Sequence, residues 1–289
     1  MLKRILSALA ALFVGAVAGQ ASASPPMWVI HEHGARIVLF GSIHALPPKL
    51  KWEPARLRRA IAGARELWLE IPMDPAADLA AAQLATERGL QPQGQTLSAS
   101  LSPEGRQRLA RVAAAAGEPL DGVDRLRPWY AELLLSLATY KTEGVSADNG
   151  VERQILRAAP PGVRHEAFET PVQQIDFLSS AAPADQIASL EETLGELDDG
   201  SASYNRLLKA WLAGDVGGLQ REALDPLIKT APGVYRALVV DRNQRWVEVI
   251  EKRLRQPGQA VMVVGIGHLV GPDSVPALLR ARGVVVEGP

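Results

Sequence analysis

The chain has 289 residues, a formal net charge of -1, no cysteine, and 47% hydrophobic but only 5% aromatic residues. So balanced a charge provides no long-range field for nucleic acid or an anionic membrane, and the lack of cysteine excludes disulfides, thiol catalysis and cysteine-linked lipid attachment. The composition predicts an aliphatic core. In chain order, Lys3 and Arg4 precede an apolar run from Ile5 to Val17, which is too short to span a bilayer comfortably, and Ala21-Ser22-Ala23 supplies a small-residue cleavage pattern. Residues 1–23 are therefore expected to be a cleaved signal peptide, the mature chain beginning near Ser24 in the periplasm or outside the cell. No second long apolar run predicts stable membrane insertion.

Met27 to Ile30 and Ala35 to Phe40 are β-prone runs about the turn Glu32-His33-Gly34. Trp52 to Arg65 has helical composition and Glu66 to Ile71 that of a strand. Residues 75–141 are rich in Ala, Leu and Arg and predict several helices broken at Gly94, Pro103, Gly117 and Pro128. Gly162 to Glu169 reads as a strand. After it Thr170 is a natural N-cap, with Pro171 at the first helical position and Gln173 completing a capping box. Helices are expected over 183–255, followed by a strand at 260–264, a short helix, and a strand at 284–287.

One pattern occurs twice. RIVLF-GSIH-ALPP leads through a helical stretch to ELWLE, and AVMVV-GIGH-LVGP leads through SVPALLRAR to VVVE. Each copy is strand, Gly-x-x-His, proline, helix, strand, which predicts that the two ends of the chain meet in one sheet about an approximate two-fold; chance likeness between two such units is the competing explanation. The expected fold is thus α/β (α+β mixed): a central mixed sheet built from the terminal repeats, flanked by helices, with a helical middle insert.

His44, Glu70, Glu169 and His268 share a position, each at or just past the carboxyl end of a predicted strand, the rim on which open α/β sheets bind ligands. Taken singly, such residues are usually solvated or packed. Together, two imidazoles and a carboxylate (His44, His268, Glu70) suit one divalent cation with open positions for a polarised carbonyl and an ionisable water. Glu169 is then a general base or holds an imidazole in its ligating tautomer. Manganese, cobalt, zinc and iron all accept such donors. Arg242 lies on the apolar stripe Tyr235, Leu238, Val239, Trp246, Val249 and Ile250 of a helix predicted over 235–254, so it needs an anionic partner. It faces either a site carboxylate or developing oxyanion, or a structural ion pair or the surface. Asn243 beside it is placed to cap or orient. His31, His33 and His165 lack comparable surroundings.

These motifs resemble the TraB/GumN family, which includes the Tiki proteins. The resemblance rests on Gly41-Ser42-Ile43-His44 with its following proline, Glu70, Phe168-Glu169-Thr170 with Gln174, Tyr204, Trp211, Gly214-Asp215, Arg242-Asn243 with Trp246, and Gly265-Ile266-Gly267-His268-Leu269 with Gly271. Phe168 stands where leucine is usual, and Glu152 where aspartate is. The resemblance implies one domain over 24–289, with a helical middle at roughly 75–145 and 183–255, and a site centred on the two Gly-x-x-His motifs. Tiki-type members are divalent-metal-dependent proteases. The resemblance therefore implies an exported metallopeptidase-like hydrolase acting on a peptide or polypeptide, with His44, Glu70 and His268 as metal ligands and Glu169, Arg242 and Asn243 as catalytic or orienting groups. Its rivals are a noncatalytic peptide- or glycan-binding protein and a metal-independent carbohydrate enzyme using Glu70 and Glu169.

Overall fold

The computed structural model describes residues 24–200 and 202–289; the leader expected over 1–23 lies outside the described residues. Six strands, β1 (Met27–Glu32), β2 (Ala35–Ser42), β3 (Glu66–Leu69), β4 (Arg164–Ala167), β5 (Gly258–Gly265) and β6 (Val286–Glu287), form one sheet in the order β4-β3-β5-β2-β1-β6. β4, β3, β5 and β2 run parallel, whereas β1 is antiparallel to both β2 and β6. The β1–β2 connection is a two-residue turn in which His33 and Gly34 both have positive φ (47° and 76°), the backbone that matches strand twist in a tight hairpin.

The two ends of the chain meet at the centre of the sheet. β2 and β5 pair in parallel along their whole length, Ala35 with Gly258 through Ser42 with Gly265. Both are buried on both faces over IVLF and AVMVV, as parallel strands covered by helices require. β3 lies beside β5, and β6 lies beside β1.

Helix starts follow the predicted chemistry. Proline occupies a first-turn position at Pro75, Pro103, Pro128, Pro171 and Pro183, where its missing N–H costs nothing. The Thr170–Gln173 capping box forms in both directions. The middle helices Pro103–Ala116, Pro128–Thr142 and Pro183–Asp198 pack about a second apolar cluster that includes Leu97, Leu109, Leu135, Leu190 and Leu194. The principal cluster sits on the sheet and is mostly aliphatic. Within it Phe40, Trp52 and Trp211 form an aromatic trio with centroids 5.6–6.3 Å apart.

The helix expected over 235–254 forms, but it is not regular α-helix throughout. A π-helical turn, Arg236–Val240, precedes the α-helix Asp241–Leu254. The buried face of that helix carries Val247 and Arg253 as well as Arg242, Trp246 and Ile250, while Val249 is only partly buried. An apolar repeat does not register an extra residue inserted into the turn before it, which is how a π turn hides in sequence.

Candidate active site

The four parallel strands end at Ser42, Leu69, Ala167 and Gly265, so His44, Glu70, Glu169 and His268 emerge from one rim. Because Ser42 pairs with Gly265, the two Gly-x-x-His turns lie side by side, and each first glycine is needed for close approach. A Cβ on Gly41 would sit 2.2 Å from Cδ1 of Ile266, inside the other motif. One on Gly265 would sit 3.0 Å from His44 Nε2 and 3.1 Å from Glu70 Oε1. The first turn is fastened from outside: Trp211 Nε1 donates to Gly41 O at 2.8 Å and Tyr204 Oη to Ala45 O at 2.9 Å.

Both imidazoles turn Nε2 toward the same carboxylate oxygen. His44 Nε2 is 3.9 Å and His268 Nε2 3.8 Å from Glu70 Oε1, which also accepts the Gly265 N–H at 2.7 Å. Their Nδ1 atoms are held from behind. His44 Nδ1 lies 2.6 Å from Glu152 Oε1, the oxygen that also accepts Ser42 Oγ–H. His268 Nδ1 lies 2.7 Å from Asn243 Oδ1, and Asn243 Nδ2 donates to the carbonyls of Asp273 and His268. With its amide nitrogen so engaged, Asn243 presents an acceptor, and His268 carries its proton on Nδ1 with a lone pair on Nε2.

Arg242 is the hub. Its guanidinium is buried, and each of its five N–H donors has an acceptor. Nε and Nη2 grip Glu169 as a fork at 2.9 Å, Nη2 also reaches Glu70 Oε2 at 2.6 Å, and Nη1 donates to Leu238 O at 3.2 Å and to His268 Nε2 at 3.1 Å. Leu238 lies in the π turn, so this irregularity supplies one of the five acceptors. Trp246 completes the group: Nε1 donates to Glu169 Oε1 at 2.7 Å, and its ring lies 4.3 Å from the His268 ring and 4.8 Å from the guanidinium carbon. The Arg242 expectation is thus met on both carboxylates at once.

The charges sort accordingly. Burial pushes His268 down to about 3, Glu70 opposing and Arg242 and His44 assisting, so it is a neutral imidazole at neutral pH. The Glu152 carboxylate lifts His44 to about 9, so this imidazole is protonated at neutral pH. Burial alone would raise Glu70, but Arg242, the two imidazoles and the Gly265 N–H hold it below the ordinary carboxylate range. Glu152 is likewise held low against its burial by His44 and Ser42. Arg242 is raised, its burial overcome by Glu70 and Glu169.

All six residues singled out in the sequence therefore converge: His44, Glu70, Glu169, Arg242, Asn243 and His268. Glu152 and Ser42 were missing from that set, and the polar role of Trp246 went unread. Glu152 comes from the start of the helix Val151–Ala158, not from a strand end, and the chain passes there because Gly150 lies against His44 O, where a Cβ would be at 2.0 Å. Its only sign in the sequence is its place in the Gly150-Val151-Glu152 loop, where the family pattern has aspartate. His31, His33 and His165 are exposed and away from the site.

The donor set fits a divalent cation in type. Nitrogen and oxygen ligands about 2.0–2.2 Å from one ion stand roughly 3.3–3.6 Å apart at a tetrahedral angle, and the two imidazole-to-carboxylate separations, 3.9 and 3.8 Å, are a few tenths of an ångström wider. Each imidazole also has the orienting partner on its far nitrogen that metal-ligating histidines require. Among the described residues, however, no group of three such side chains stands in ready coordination geometry, and Arg242 Nη1 lies on the His268 lone pair. For His268 to ligate, that hydrogen bond must be given up, and for His44 to ligate, the Nε2 proton it holds at neutral pH must be lost.

The TraB/PrgY/gumN family model matches residues 26–288. The chain belongs to this family. An uncharacterized protein of Shigella flexneri, YbaP, is 24% identical over 86% of this chain and 88% of its own length. Its Escherichia coli K12 counterpart is 24% identical over 84% and 87%, and an uncharacterized protein of Treponema pallidum 23% over 88% and 80%. No solved structure matches. Membership of the TraB family fixes the kinship of the chain, and the chemistry is argued from the site itself.

Proposed function

We propose that this TraB-family protein is an exported, metal-dependent hydrolase that cleaves peptide bonds. The observation that carries the reading is the convergence of His44 Nε2 and His268 Nε2 on Glu70 Oε1, each imidazole being oriented through Nδ1 by Glu152 or Asn243. His44, Glu70 and His268 would hold the ion, which supplies Lewis acidity toward a carbonyl and lowers the pKa of a coordinated water. The remaining roles belong to the chain. Glu152 and Asn243 fix the tautomers. Arg242 holds Glu70 ionised and lends positive charge at the rim, where an oxyanion develops. Glu169 has both oxygens engaged by Arg242 and Trp246, which favours a positioning residue for the guanidinium over the general base first considered. His44, open to the cleft with 64% of its side chain exposed, is the group a substrate meets first.

The carbohydrate reading loses support here, because that chemistry needs one carboxyl kept protonated and Glu70 is held ionised by Arg242. The noncatalytic reading is favoured by one observation, the guanidinium on the His268 lone pair. Elemental analysis of protein purified without chelator, together with cleavage of a positional peptide library, separates the two. The hydrolase predicts near-stoichiometric metal, and parallel loss of metal and turnover in His44→Ala and His268→Ala with the fold retained. Full metal with lost turnover would make the replaced histidine a base, and unchanged turnover in both variants would end the hydrolase reading.

A further inference from the structure

The rim site opens into a cleft of about 540 Å³ whose polar end is His44, Glu70 and Arg242. Away from that end its character changes. The helix Pro75–Gly89 contributes Ala81, Ala82 and Ala85, and Leu133, Ile175, Leu178 and Leu238 come from three further segments. A second cavity of about 200 Å³ shares Leu133, Leu178 and Leu238 with the cleft and is lined also by Trp129. Trp129 is 4% exposed, and its buried Nε1–H has no hydrogen-bond partner. A buried donor left unmatched is rare in a native interior and calls for an acceptor brought by something else. On the same cavity, Oε1 of the Glu132 carboxyl accepts from both Ser189 and Thr193.

Resting on the peptidase reading above, we propose that this apolar arm is the specificity subsite for a large aliphatic side chain, leucine or methionine in size, of an extended peptide whose neighbouring carbonyl is presented to His44 and Glu70. Three features support that occupant. The wall is mostly aliphatic, with Tyr130 and Gln174 as its other members, and it shares one cleft with the polar end. The alanines of one helix leave the width that a branched side chain fills. The second cavity continues behind the shared leucines, and its lining includes Trp129, whose buried Nε1–H is unmatched. Acidic side chains are excluded, because the apolar part of the arm offers them no cation and its inner cavity is lined by the Glu132 carboxyl; burial raises the pKa of Glu132, which weakens it as a partner for a cation.

The test uses the full mature chain and a positional-scanning library of labelled octapeptides, read both by cleavage and by equilibrium anisotropy with the His44→Ala protein, which separates binding from turnover. One position should prefer Leu or Met over Ala by about 10- to 200-fold, the range that small apolar increments command in a fitted pocket, and reject Asp. Ala82 is exposed on its helix, so Ala82→Leu fills the arm without a folding cost; it should lower affinity for the Leu peptides at least tenfold and move the preference toward Ala and Gly. Cleavage without an apolar preference, or an unchanged profile in Ala82→Leu, overturns the subsite and leaves the hydrolase standing. Selective Leu binding that Ala82→Leu abolishes, without cleavage by the wild type, overturns the hydrolase and leaves the subsite. Absence of both binding and cleavage overturns both.

Discussion

Replacing Arg242 tests the centre of the site most directly, because every donor it owns is committed. Arg242→Met removes the partner of two buried carboxylates, Glu70 and Glu169, whose side chains are 9% and 5% exposed beside a guanidinium at 7%. Breaking a buried pair from one side costs about 3–5 kcal/mol, because the surviving charge is left desolvated, against a total stability of roughly 5–15 kcal/mol for a domain. Arg242→Lys keeps the charge but offers three donors from one point where five from a planar fork are in use, so at least two acceptors lose their partner. At about 1–3 kcal/mol for each buried group left unmatched, the loss is on the order of 2 kcal/mol or more. Urea unfolding at pH 7, followed by circular dichroism in chelator-treated protein, reads both values. A double-mutant cycle with Glu169→Gln should return a coupling of about 0.5–3 kcal/mol. A loss below about 1 kcal/mol for Arg242→Met, or strict additivity with Glu169→Gln, would refute the hub.

Arg253, eleven residues on along the same helix face, is a control. It is buried against Glu66 at 2.6 Å, so Arg253→Met should destabilise by a similar amount while leaving peptide cleavage per folded molecule unchanged. Burial pushes Glu66 upward but Trp68 Nε1–H, Arg253 and Arg164 hold it below its ordinary value of 4.5. The stability it contributes is therefore present above about pH 4.5 and lost as pH falls through the folded value, and the gap between Arg253→Met and wild type should narrow on going from pH 7 to pH 3; a gap that widens would contradict the pairing. Gly265→Ala should cut metal content and cleavage with little change in the unfolding midpoint, since its Cβ would meet His44 Nε2 at 3.0 Å and Glu70 Oε1 at 3.1 Å. Native metal content in that variant would show that the space between the donors is not the binding position. Finally, if the proposed leader is cleaved on export, N-terminal sequencing should begin at or near Ser24, and a retained Met1 in a membrane fraction would contradict cleavage.

The convergence of six residues was legible because the rule behind it is topological. Once β2, β3, β4 and β5 are parallel neighbours, whatever follows their carboxyl ends shares one rim, and a sequence of strand, glycine, histidine announces such an end. Glu152 escaped because it arrives from the side, at a helix start held against the His44 loop by the bond from Val151 N–H to Ile43 O. Nothing in local periodicity tells that a helix N-terminus more than a hundred residues away will lie behind an imidazole. Trp246 was readable as a buried aromatic, yet the direction of its N–H depends on which carboxylate stands opposite, and that is fixed only by packing.

The two buried arginines show where pattern stops and topology decides. Both sit on one helix face, and each needs an anion for the same electrostatic reason. Their partners, Glu66 and Glu70, mark the beginning and the far end of β3, about 13 Å apart along a strand. Arg253 and Arg242 lie about 16 Å apart along the helix, so the helix Asp241–Leu254 runs antiparallel over β3 with a guanidinium near each end. Charge and burial alone do not tell the two pairs apart. The direction of the strand does: its carboxyl end opens on the cleft that His44 and Glu70 line, whereas at its amino end Glu66 is closed between Arg253, Arg164 and Trp68. One ion pair therefore borders the open cleft and the other holds the helix to the sheet, and sheet polarity tells them apart.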